Sequence, residues 1–534
     1  MAKNPSAPIA QLNPVEKLIS EFSPKWGFRR LQNKTALALA NGYVGASRTR
    51  PTMRNWTPGA SSADDDAVLD LPDLRARSRD LVRNAPIAGG AINTMVTNVV
   101  GTGLSLQSRI DGAVLGLDEA AADAWQAHAE REYRLWAESK DCDVTRGQDF
   151  YGLQSLAFRA ALESGDVFAL TPSIERKTSP YRLAIQLIEA DRVCNKSMAR
   201  DTSSMVAGVK LDEYGAPISY QICNRHPLSM TGATKTEWTE VQAFGENTGR
   251  RNVIHLFERR RPGQTRGIPV LAPVIEPLKQ LGRYTEAELQ AAVISGSFAV
   301  FLRMDPGAFN DIFDDDSDRK AYINGASGWD GSVDSSTLDG PGKAINLLPG
   351  EEPVPVNPGR PNSEFDPFVQ AILRQIGVQL ELPFEVLIKH YTASYSAARA
   401  ALLDAWRFFR GRRDWLASNF CQPIYELFLE EAIATGRIYA PGFFSDPLIR
   451  KAYSGSAWVG DGPGAIDPMK EVNAAKERVA LGTSTIAAES ILHDGGDWEP
   501  KHRQRVKEHK ARVKDGLSVE IIPPSDALLN SPTT

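Results

Sequence analysis

The stretch YTASYSAARAALLDAWRFFRGRRDW, residues 391–415, places five arginines among alanines and aromatic residues. Its apolar residues recur at helical spacing and, at about 100° per residue, fall within an arc of roughly 120°. This predicted buried face consists of Ala398, Ala401, Leu402, Ala405, Phe409, Leu416 and Phe420. Four arginines form an adjoining arc, whereas Arg412 falls inside the apolar arc, where its stem can follow the core and its charge needs a partner.

Such an arginine-rich helix has two interpretations. In a lone subunit it is a core helix whose solvated edge is basic. In a ring of subunits each exposed arginine becomes a circle of arginines, which concentrates the charge. The pattern of residues 391–415 fits both.

Composition restricts the class of protein. The 534 residues exceed one ordinary core, so two or more domains are expected. A hydrophobic content of 42% and a charged content of 24% are typical of a folded, water-facing protein. The four cysteines are far apart and form no C-x-x-C pair, which indicates reduced thiols and neither a disulfide framework nor a zinc ribbon.

Charge and hydropathy exclude two further classes. The formal net charge of -5 argues against strong sequence-independent DNA binding, because neutralising phosphates requires a surplus of lysine and arginine. The first residues contain no apolar core of the signal-peptide type, and the most apolar runs, 86–104 and 291–304, are short or interrupted. We therefore expect no segment that enters a membrane.

The pattern along the chain predicts an α+β fold. Residues 1–70 show little periodicity and predict an extended, partly disordered arm. From Leu71 the pattern predicts two helices and a strand, then helices at 118–140 and 148–164. Short β-type runs follow up to residue 260, and the DEYG turn at 212–215 predicts a hairpin.

The second half predicts mostly helices around one long insertion. A helix from Pro273 to about Arg303 precedes a Gly-, Pro- and Asp-rich segment at 304–361. Helicity resumes after Ser363, breaks at Pro383 and continues to about Ala434 with a bend at Pro423. A further helical unit and a basic helix then precede a Pro- and Ser-bearing tail.

No catalytic motif emerges from the sequence. GPGKAIN (340–346) lacks the first glycine and the Ser or Thr of a phosphate-binding loop, and GASGW around Ser327 lacks the second glycine of a nucleophile elbow. His502 and His509 share one face of a helix, which a solvated basic helix explains. An acidic cluster could hold a divalent cation as nucleases do, although a solvated loop explains it too: Asp311, Asp314, Asp315, Asp316 and Asp318.

The stretch LLPGEEPVPVNPGRPNSEFDPFVQAILRQIGVQLELPFEVLIKHYTASYSAARAALLDAWRFFRGRRDWL (347–416) resembles the central signature of the lambda-type family of tailed-bacteriophage portal proteins. The resemblance consists of the turn Leu348–Glu351, the break Leu382–Phe384 and the helix signature Tyr395–Arg399, where Ala397 replaces a second serine. Six further segments agree in order with the family: 77–104, 164–170, 187–193, 208–220, 260–302 and 457–499.

The resemblance implies a portal fold of wing, two long stem helices, clip insertion and helical crown, assembled as a ring. Carried onto this chain, it divides the sequence after the arm 1–70 into a series of parts. These are a wing (71–265), stem helix 1 (266–300), a clip (301–362), stem helix 2 (363–382), a tunnel loop (383–393), a long helix with wing return (394–455), a helical crown (456–520) and a disordered tail (521–534).

The resemblance also implies a role and partners. Portal proteins form a homo-oligomeric ring of about twelve subunits at a unique capsid vertex, and double-stranded DNA is packaged and ejected through it. Expected partners are terminase, major capsid and scaffold proteins, and head-completion or neck proteins. The expected location is the virion, with the host cytoplasm during assembly. No enzymatic activity, cofactor, metal or membrane is implied. The alternatives are a metal-dependent nuclease and another head or neck connector.

Site residues follow from the resemblance joined to the charge pattern. Lys389, His390 and Arg399 lie in or next to the implied tunnel loop and are the candidates for the DNA channel. Arg407, Arg410 and Arg413 lie further along the helix and are the candidates for contacts between subunits, with acidic groups as partners.

Overall fold

Two helices, α1 (Pro14–Phe22) and α2 (Pro24–Leu39), occupy the N-terminal segment. The computed structural model describes residues 14–39, 44–47, 50–230, 235–297, 300–304, 351–355, 364–391, 394–463, 467–494 and 496–517. Residues 1–66 form one compact unit and residues 67–534 a second. The predicted extended arm is therefore wrong for residues 14–39, which form these two helices. Proline at the first position presets the backbone of each helix, a start signal that outweighed the weak periodicity.

The first unit is held by close packing of its two helices. A Cβ atom on Gly27 would lie 2.4 Å from the Cβ atom of Ser20, so α1 and α2 approach closely where Gly27 has no side chain. Arg30 Nε donates a hydrogen bond to Glu16 Oε1 at 3.2 Å, and the same guanidinium lies over the Trp26 ring. These contacts give the segment a folded hairpin.

The second unit begins with the two predicted helices, α3 (Leu71–Asn84) and α4 (Pro86–Val99). Strand β1 (Ser105–Ser108) follows, and then a short helix α5 (Gly112–Leu115), α6 (Glu119–Ala137) and α7 (Phe150–Ser164). Asp118 and Asp149 accept backbone N–H bonds at the starts of α6 and α7, which explains where these helices begin. The predicted order of elements is confirmed in this part of the chain.

Two antiparallel sheets follow. The first has the order β3-β2-β8, with β2 (Asp166–Leu170) between β3 (Gln186–Glu189) and β8 (Val253–Phe257). The second has the order β4-β5-β6-β7 and consists of β4 (Met205–Val206), β5 (Val209–Leu211), β6 (Pro217–Cys223) and β7 (Trp238–Gln242). Gly215 takes a left-handed φ of 81° in the DEYG turn, where Asp212 accepts two backbone N–H bonds.

Helices dominate the rest of the chain. Helix α8 spans Ile275–Ser297, and strands β9 (Val300–Met304) and β10 (Glu351–Pro355) pair antiparallel. Next come α9 (Phe365–Leu380), α10 (Phe384–Ile388), α11 (Tyr395–Leu416) and α12 (Gln422–Ala434). After α13 (Pro447–Tyr453) and β11 (Ser456–Val459), which pairs with β1, the last helices are α14 (Pro468–Ala480), α15 (Ile486–Asp494) and α16 (Trp498–Lys514).

The bend predicted at Pro423 takes the form of a π turn. Residues Ala417–Cys421 join α11 to α12, and the N–H of Gln422 donates to the carbonyl of Ala417, five residues back. Proline has no N–H, and its ring clashes with the carbonyl four residues before it, so a wider turn accommodates Pro423 without ending the helix. The helical segment then ends at Gly436, whose φ is 75°.

Two apolar clusters form the core of the second unit. The larger lies among α4, α6, α7, α11 and α12 and includes an aromatic group around Tyr133, whose ring lies 5.2 Å from Phe428 and 5.6 Å from Tyr425. The smaller cluster contains Phe168, Ile188, Val193, Val209, Tyr220, Ile222, Ala243 and Val253. The mixture of helices and strands confirms the α+β composition predicted from the sequence.

Three predicted features, the clip, the acidic cluster and the tail, lie wholly or mostly outside the described residues. The clip range 301–362 is described only at 301–304 and 351–355, where β9 and β10 bring its two ends together. The acidic cluster Asp311–Asp318 and the tail 521–534 fall in ranges of which nothing is described. Across the described ranges, no group of three or more His, Cys, Asp or Glu side chains is arranged to hold a metal ion.

Candidate functional site

A sharp turn between α9 and α10 begins the candidate site. Glu381 and Lys389 take left-handed φ values of 55°, one before and one after α10. The N–H of Leu382 donates to Gly377 O at 2.9 Å, and a Cβ atom on Gly377 would lie 2.6 Å from Leu382 O. Glycine at 377 therefore lets the chain fold back onto α9, a helix end of the Schellman type.

Part of the predicted tunnel loop 383–393 is helical. Pro383 precedes α10 as its cap, and Val386 and Leu387 are buried in the large core cluster. Helix α10 packs against α4 and α11. The resemblance implied a loop after Pro383, but the apolar pair Val386 and Leu387 gives the next turn a face to bury. The exposed part of the range begins at Lys389.

The channel candidates lie around the end of α10 and the start of α11. Lys389 and His390 are exposed, and the His390 N–H donates to Glu385 O at 3.1 Å. Ser394 caps α11 by accepting from the Ala397 N–H, and Arg399 is half-buried in the first turns. Within the described residues neither Lys389 nor Arg399 has an ion pair. All three candidates thus flank one short connection, residues 391–394, of which 392–393 are not described.

Arg407 and Arg410 are exposed on α11. Neither guanidinium has a hydrogen bond or an ion pair within the described residues. An open groove of about 940 Å³ lies beside Arg407, between the α9–α10 turn and α11, and is also lined by Arg374, Glu381, Asp404 and Glu258. These two arginines present charge that the described chain does not neutralise.

Arg413 was predicted to contact acidic groups of a neighbouring subunit. In the structure its partners are backbone carbonyls of its own chain. Its Nε donates to Val99 O at 3.0 Å, and its Nη2 donates to Asn98 O at 3.0 Å and to Asp461 O at 2.9 Å. The guanidinium also lies over the Trp406 ring, and burial lowers the pKa of Arg413. A cation among the last carbonyls of α4 is favourable, so Arg413 joins α4 to α11.

Arg412 finds the partner that its position in the apolar arc requires. Its Nη1 lies 2.8 Å from Glu258 Oε1, and the guanidinium lies over the Phe408 ring at 5.2 Å. The predicted buried face of α11 is confirmed as well, because Ala405, Phe409 and Leu416 are buried in the core.

A buried ionic cluster around Asp166 was not predicted from the sequence. Asp166 accepts from Arg75 Nη2 at 2.9 Å and from Arg266 Nε at 2.6 Å, and it lies 3.2 Å from His255 Nε2. Arg266 also donates to the carbonyls of Ala190, Val193 and Ala207. Asp166 is 89 to 100 positions away from each of these three partners, and the residues follow no motif, so no sequence signal could have found them. Their role is structural.

A family model described as phage portal protein, lambda family, matches residues 49–413. The chain belongs to the lambda family of phage portal proteins.

Two relatives match over nearly their whole length. The portal protein of Escherichia phage N15 is 28% identical over 499 residues, which cover 91% of this chain and 93% of the relative. Portal protein B of Escherichia phage lambda is 28% identical over 497 residues, 90% of this chain and 92% of the relative. The lambda-type family that the resemblance implied is confirmed by the family model.

One solved structure among those similar to the chain is the neck of a native gene transfer agent particle computed with C12 symmetry. It has a TM-score of 0.38 and 14% identity, and the match covers 72% of this chain and 92% of that one.

None of the helices in the described ranges combines the length and the apolar character that crossing a bilayer requires.

Proposed function

We propose that this portal protein assembles as a homo-oligomeric ring of about twelve subunits at a unique capsid vertex, where double-stranded DNA passes through the axial channel during packaging and ejection. The observation that carries the proposal is the family match over residues 49–413 together with relatives that share nearly the whole length. The protein acts in this proposal as a conduit and docking platform, without catalysis of its own.

Exposed apolar side chains on the stem helices support ring assembly. Leu289 and Val293 on α8 are 67% and 62% exposed, and Val378 on α9 is 81% exposed. The two helices pack on each other through Tyr284, whose ring lies 5.5 Å from Phe365 and 5.2 Å from Phe368. Apolar residues outside that contact gain free energy when a neighbouring subunit covers them. A ring supplies such a neighbour to every subunit.

The charge distribution supports a conduit that does not hold its DNA. The net charge of -5 disfavours a tight grip on phosphates, which would oppose a moving duplex. Lys389, His390 and Arg399 add local positive charge near one connection, and in a ring each becomes a circle of weak phosphate contacts. We assign them to the channel wall.

The remaining partners follow from the same proposal. Terminase, and later the head-completion or neck proteins, dock on the clip at 301–362, while major capsid and scaffold proteins contact the ring as the head assembles. The protein resides in the host cytoplasm during assembly and at the portal vertex of the finished virion.

Electron microscopy of the purified full-length protein tests the ring. We expect ring particles with a central hole, and a preparation that contains only monomers would contradict the proposal. A packaging assay then tests the channel residues. Lys389→Gln combined with Arg399→Gln should leave the rings intact and change packaging, whereas Lys177→Gln combined with Arg200→Gln, an exposed pair elsewhere, should change neither.

A further inference from the structure

We propose that α16 and the facing edge of α6 form a second binding surface for double-stranded DNA, outside the channel. Helix α16 carries seven lysines and arginines and two glutamates, a formal charge of +5 in a chain whose total is -5. No residue of α16 is buried, and residues 502–514 are exposed. The channel function does not account for this concentration of charge.

The cations of α16 are ordered along one side of the helix. Arg503, Lys507, Lys510 and Lys514 are spaced at i, i+4, i+7 and i+11, which places them within roughly 60° of one another around the axis. At about 1.5 Å per residue they form a line about 16 Å long. Lys507, Lys510 and Lys514 have no ion pair within the described residues, and the pair of Arg503 with Glu499 is solvent-exposed at 3.7 Å.

Helix α6 continues this basic line across a groove. An open groove of about 570 Å³ is lined by Arg503 and Lys507 on one side and by Arg131 and Arg134 on the other. Arg131 and Arg134 are exposed, and the single ion pair of Arg134, with Glu138, is 3.9 Å long and solvent-exposed. Four cations from two elements therefore converge on one open surface.

Two carboxylates also line the groove, and both have backbone partners. Glu130 Oε1 accepts from the Ser108 N–H at 2.8 Å. Asp497 is the N-cap of α16 and accepts from the Glu499 N–H at 3.2 Å. These hydrogen bonds explain the positions of the two carboxylates. The guanidinium and ammonium groups named above line the same open groove.

Phosphates fit this surface better than an acidic protein does. Protein interfaces are anchored by large apolar or aromatic side chains, and α16, described in full, exposes only Val506 and Val513 among its large hydrophobic residues. Duplex DNA instead presents about one negative charge per 1.7 Å of its axis and is bound through lines of cations without apolar anchors. Contacts between cations and phosphates carry no information on the bases, so we expect binding that is independent of sequence.

Fluorescence anisotropy of a labelled duplex with the full-length protein tests the proposal. The variant Arg503→Gln, Lys507→Gln, Lys510→Gln, Lys514→Gln removes the line of cations. Because each phosphate contact contributes about 0.9 to the slope of log K against log salt, we expect a slope flatter by about 3 to 4 and binding at least about tenfold weaker at low salt.

A charge-matched control separates the effect of removing this surface from the effect of lowering the net charge. Lys177→Gln, Lys196→Gln, Arg200→Gln and Lys235→Gln remove the same charge from exposed positions elsewhere and should bind like the wild type. The variant Lys507→Arg, Lys510→Arg, Lys514→Arg should preserve binding, and electron microscopy of each variant monitors assembly.

Three results would overturn the proposal. They are equal affinities and salt slopes for the α16 variant and the charge-matched control, loss of binding in the arginine-substituted protein, and wild-type protein that binds poly-glutamate but no duplex. The last result would assign the surface to an acidic protein. None of them bears on whether the protein forms rings.

Discussion

Asp166 shows how one residue holds several elements of the second unit together. The carboxylate is fully buried at the first position of β2, where Arg75 from α3 and Arg266 from the segment after β8 meet it. Although burial opposes ionisation, the attraction of Arg266 and Arg75 lowers the pKa of Asp166 below its ordinary value. Removal of one member of a buried ion pair leaves an uncompensated charge, which costs about 3 to 5 kcal/mol.

Asp166→Asn should therefore lower the thermal unfolding midpoint of the purified protein clearly, because two buried guanidinium groups lose their counter-ion. Asp73→Asn is a matched control, since Asp73 is exposed and pairs with exposed Arg77 at 3.6 Å. Equal midpoints for the two variants, measured by differential scanning calorimetry, would contradict the assigned role of Asp166.

His255 makes the stability of the folded protein depend on pH. Burial lowers the pKa of His255 to about 4, although the hydrogen bond with Asp166 acts in the opposite direction. The ring stacks on Phe168 at 4.1 Å and on Phe257 at 4.3 Å, which keeps the imidazole away from water. In the unfolded chain histidine binds a proton below about pH 6.5. Between pH 6.5 and 4 the unfolded state thus binds more protons, and stability falls as pH falls.

The wild-type protein should lose about 2 kcal/mol between pH 7 and pH 5 through His255. Asp166 affects stability at a lower pH than His255 does. Its lowered pKa stabilises the folded state above about pH 4, and this stabilisation is lost as the pH falls further. Urea unfolding of His255→Gln should show a smaller difference between pH 7 and pH 5 than the wild type. His509→Gln, an exposed histidine on α16, should retain the full difference. A pH dependence unchanged in His255→Gln would exclude this explanation.

At the scale of elements, two glycines in helices should respond in opposite ways to alanine. A Cβ atom at 377 would meet Leu382 O at 2.6 Å, so Gly377→Ala pushes the turn away from α9. At 411, in the exposed interior of α11, a Cβ atom meets nothing within 4 Å. Alanine there gains helix propensity of about 0.5 to 1 kcal/mol.

We expect Gly377→Ala to lower the thermal midpoint and Gly411→Ala to preserve or raise it. Because Gly377 shapes the connection into α10, its variant should also disturb the exposed segment around Lys389, which limited proteolysis can detect. A Gly377→Ala protein as stable as the wild type would mean that the α9–α10 turn tolerates displacement.

Element boundaries also explain why the arginines of α11 have different roles. Arg413 lies where α11 crosses the end of α4, so backbone carbonyls satisfy its charge. Arg412 lies above β8 and its following loop and pairs with Glu258. Arg407 and Arg410 have no such partner within the described residues and stay exposed. The elements that cross α11, and not the helix itself, decide which of these four arginines are paired.

At the scale of the whole molecule, Arg410 tests ring assembly. Within the described residues Arg410 has no partner, and we assign it to a contact with an acidic group of a neighbouring subunit. Arg410→Glu should therefore reduce the fraction of ring particles seen by electron microscopy and shift the protein towards monomers in analytical ultracentrifugation. Arg83→Glu on α3 is the control, since Arg83 already pairs with Asp80 in its own helix at 3.7 Å.

Intact rings of Arg410→Glu that fail only in DNA packaging would contradict the subunit-contact assignment and move Arg410 to the channel. The same experiment with Arg413→Gln should instead produce an unstable subunit, because three carbonyls lose their donor.

The sequence alone determined the features that depend on local spacing and on collinear resemblance. The apolar arc of α11, the helices predicted at 118–140 and 148–164 and the break at Pro383 follow from residues close together in the chain, and the portal family follows from segments that match in order. Local rules were incomplete where short signals compete, as in the two N-terminal helices that begin at Pro14 and Pro24 and in the short helix α10.

Tertiary structure alone decided which charges are used inside the chain. Arg413 meets carbonyls 314 and 315 residues away, and Asp166 meets Arg266 100 residues away. Backbone carbonyls carry no residue-type signature, and buried ion pairs between distant elements follow no spacing rule. Only the packing of α4 on α11 and of β2 on its neighbours could separate these satisfied arginines from Arg407 and Arg410, whose charge stays on the surface.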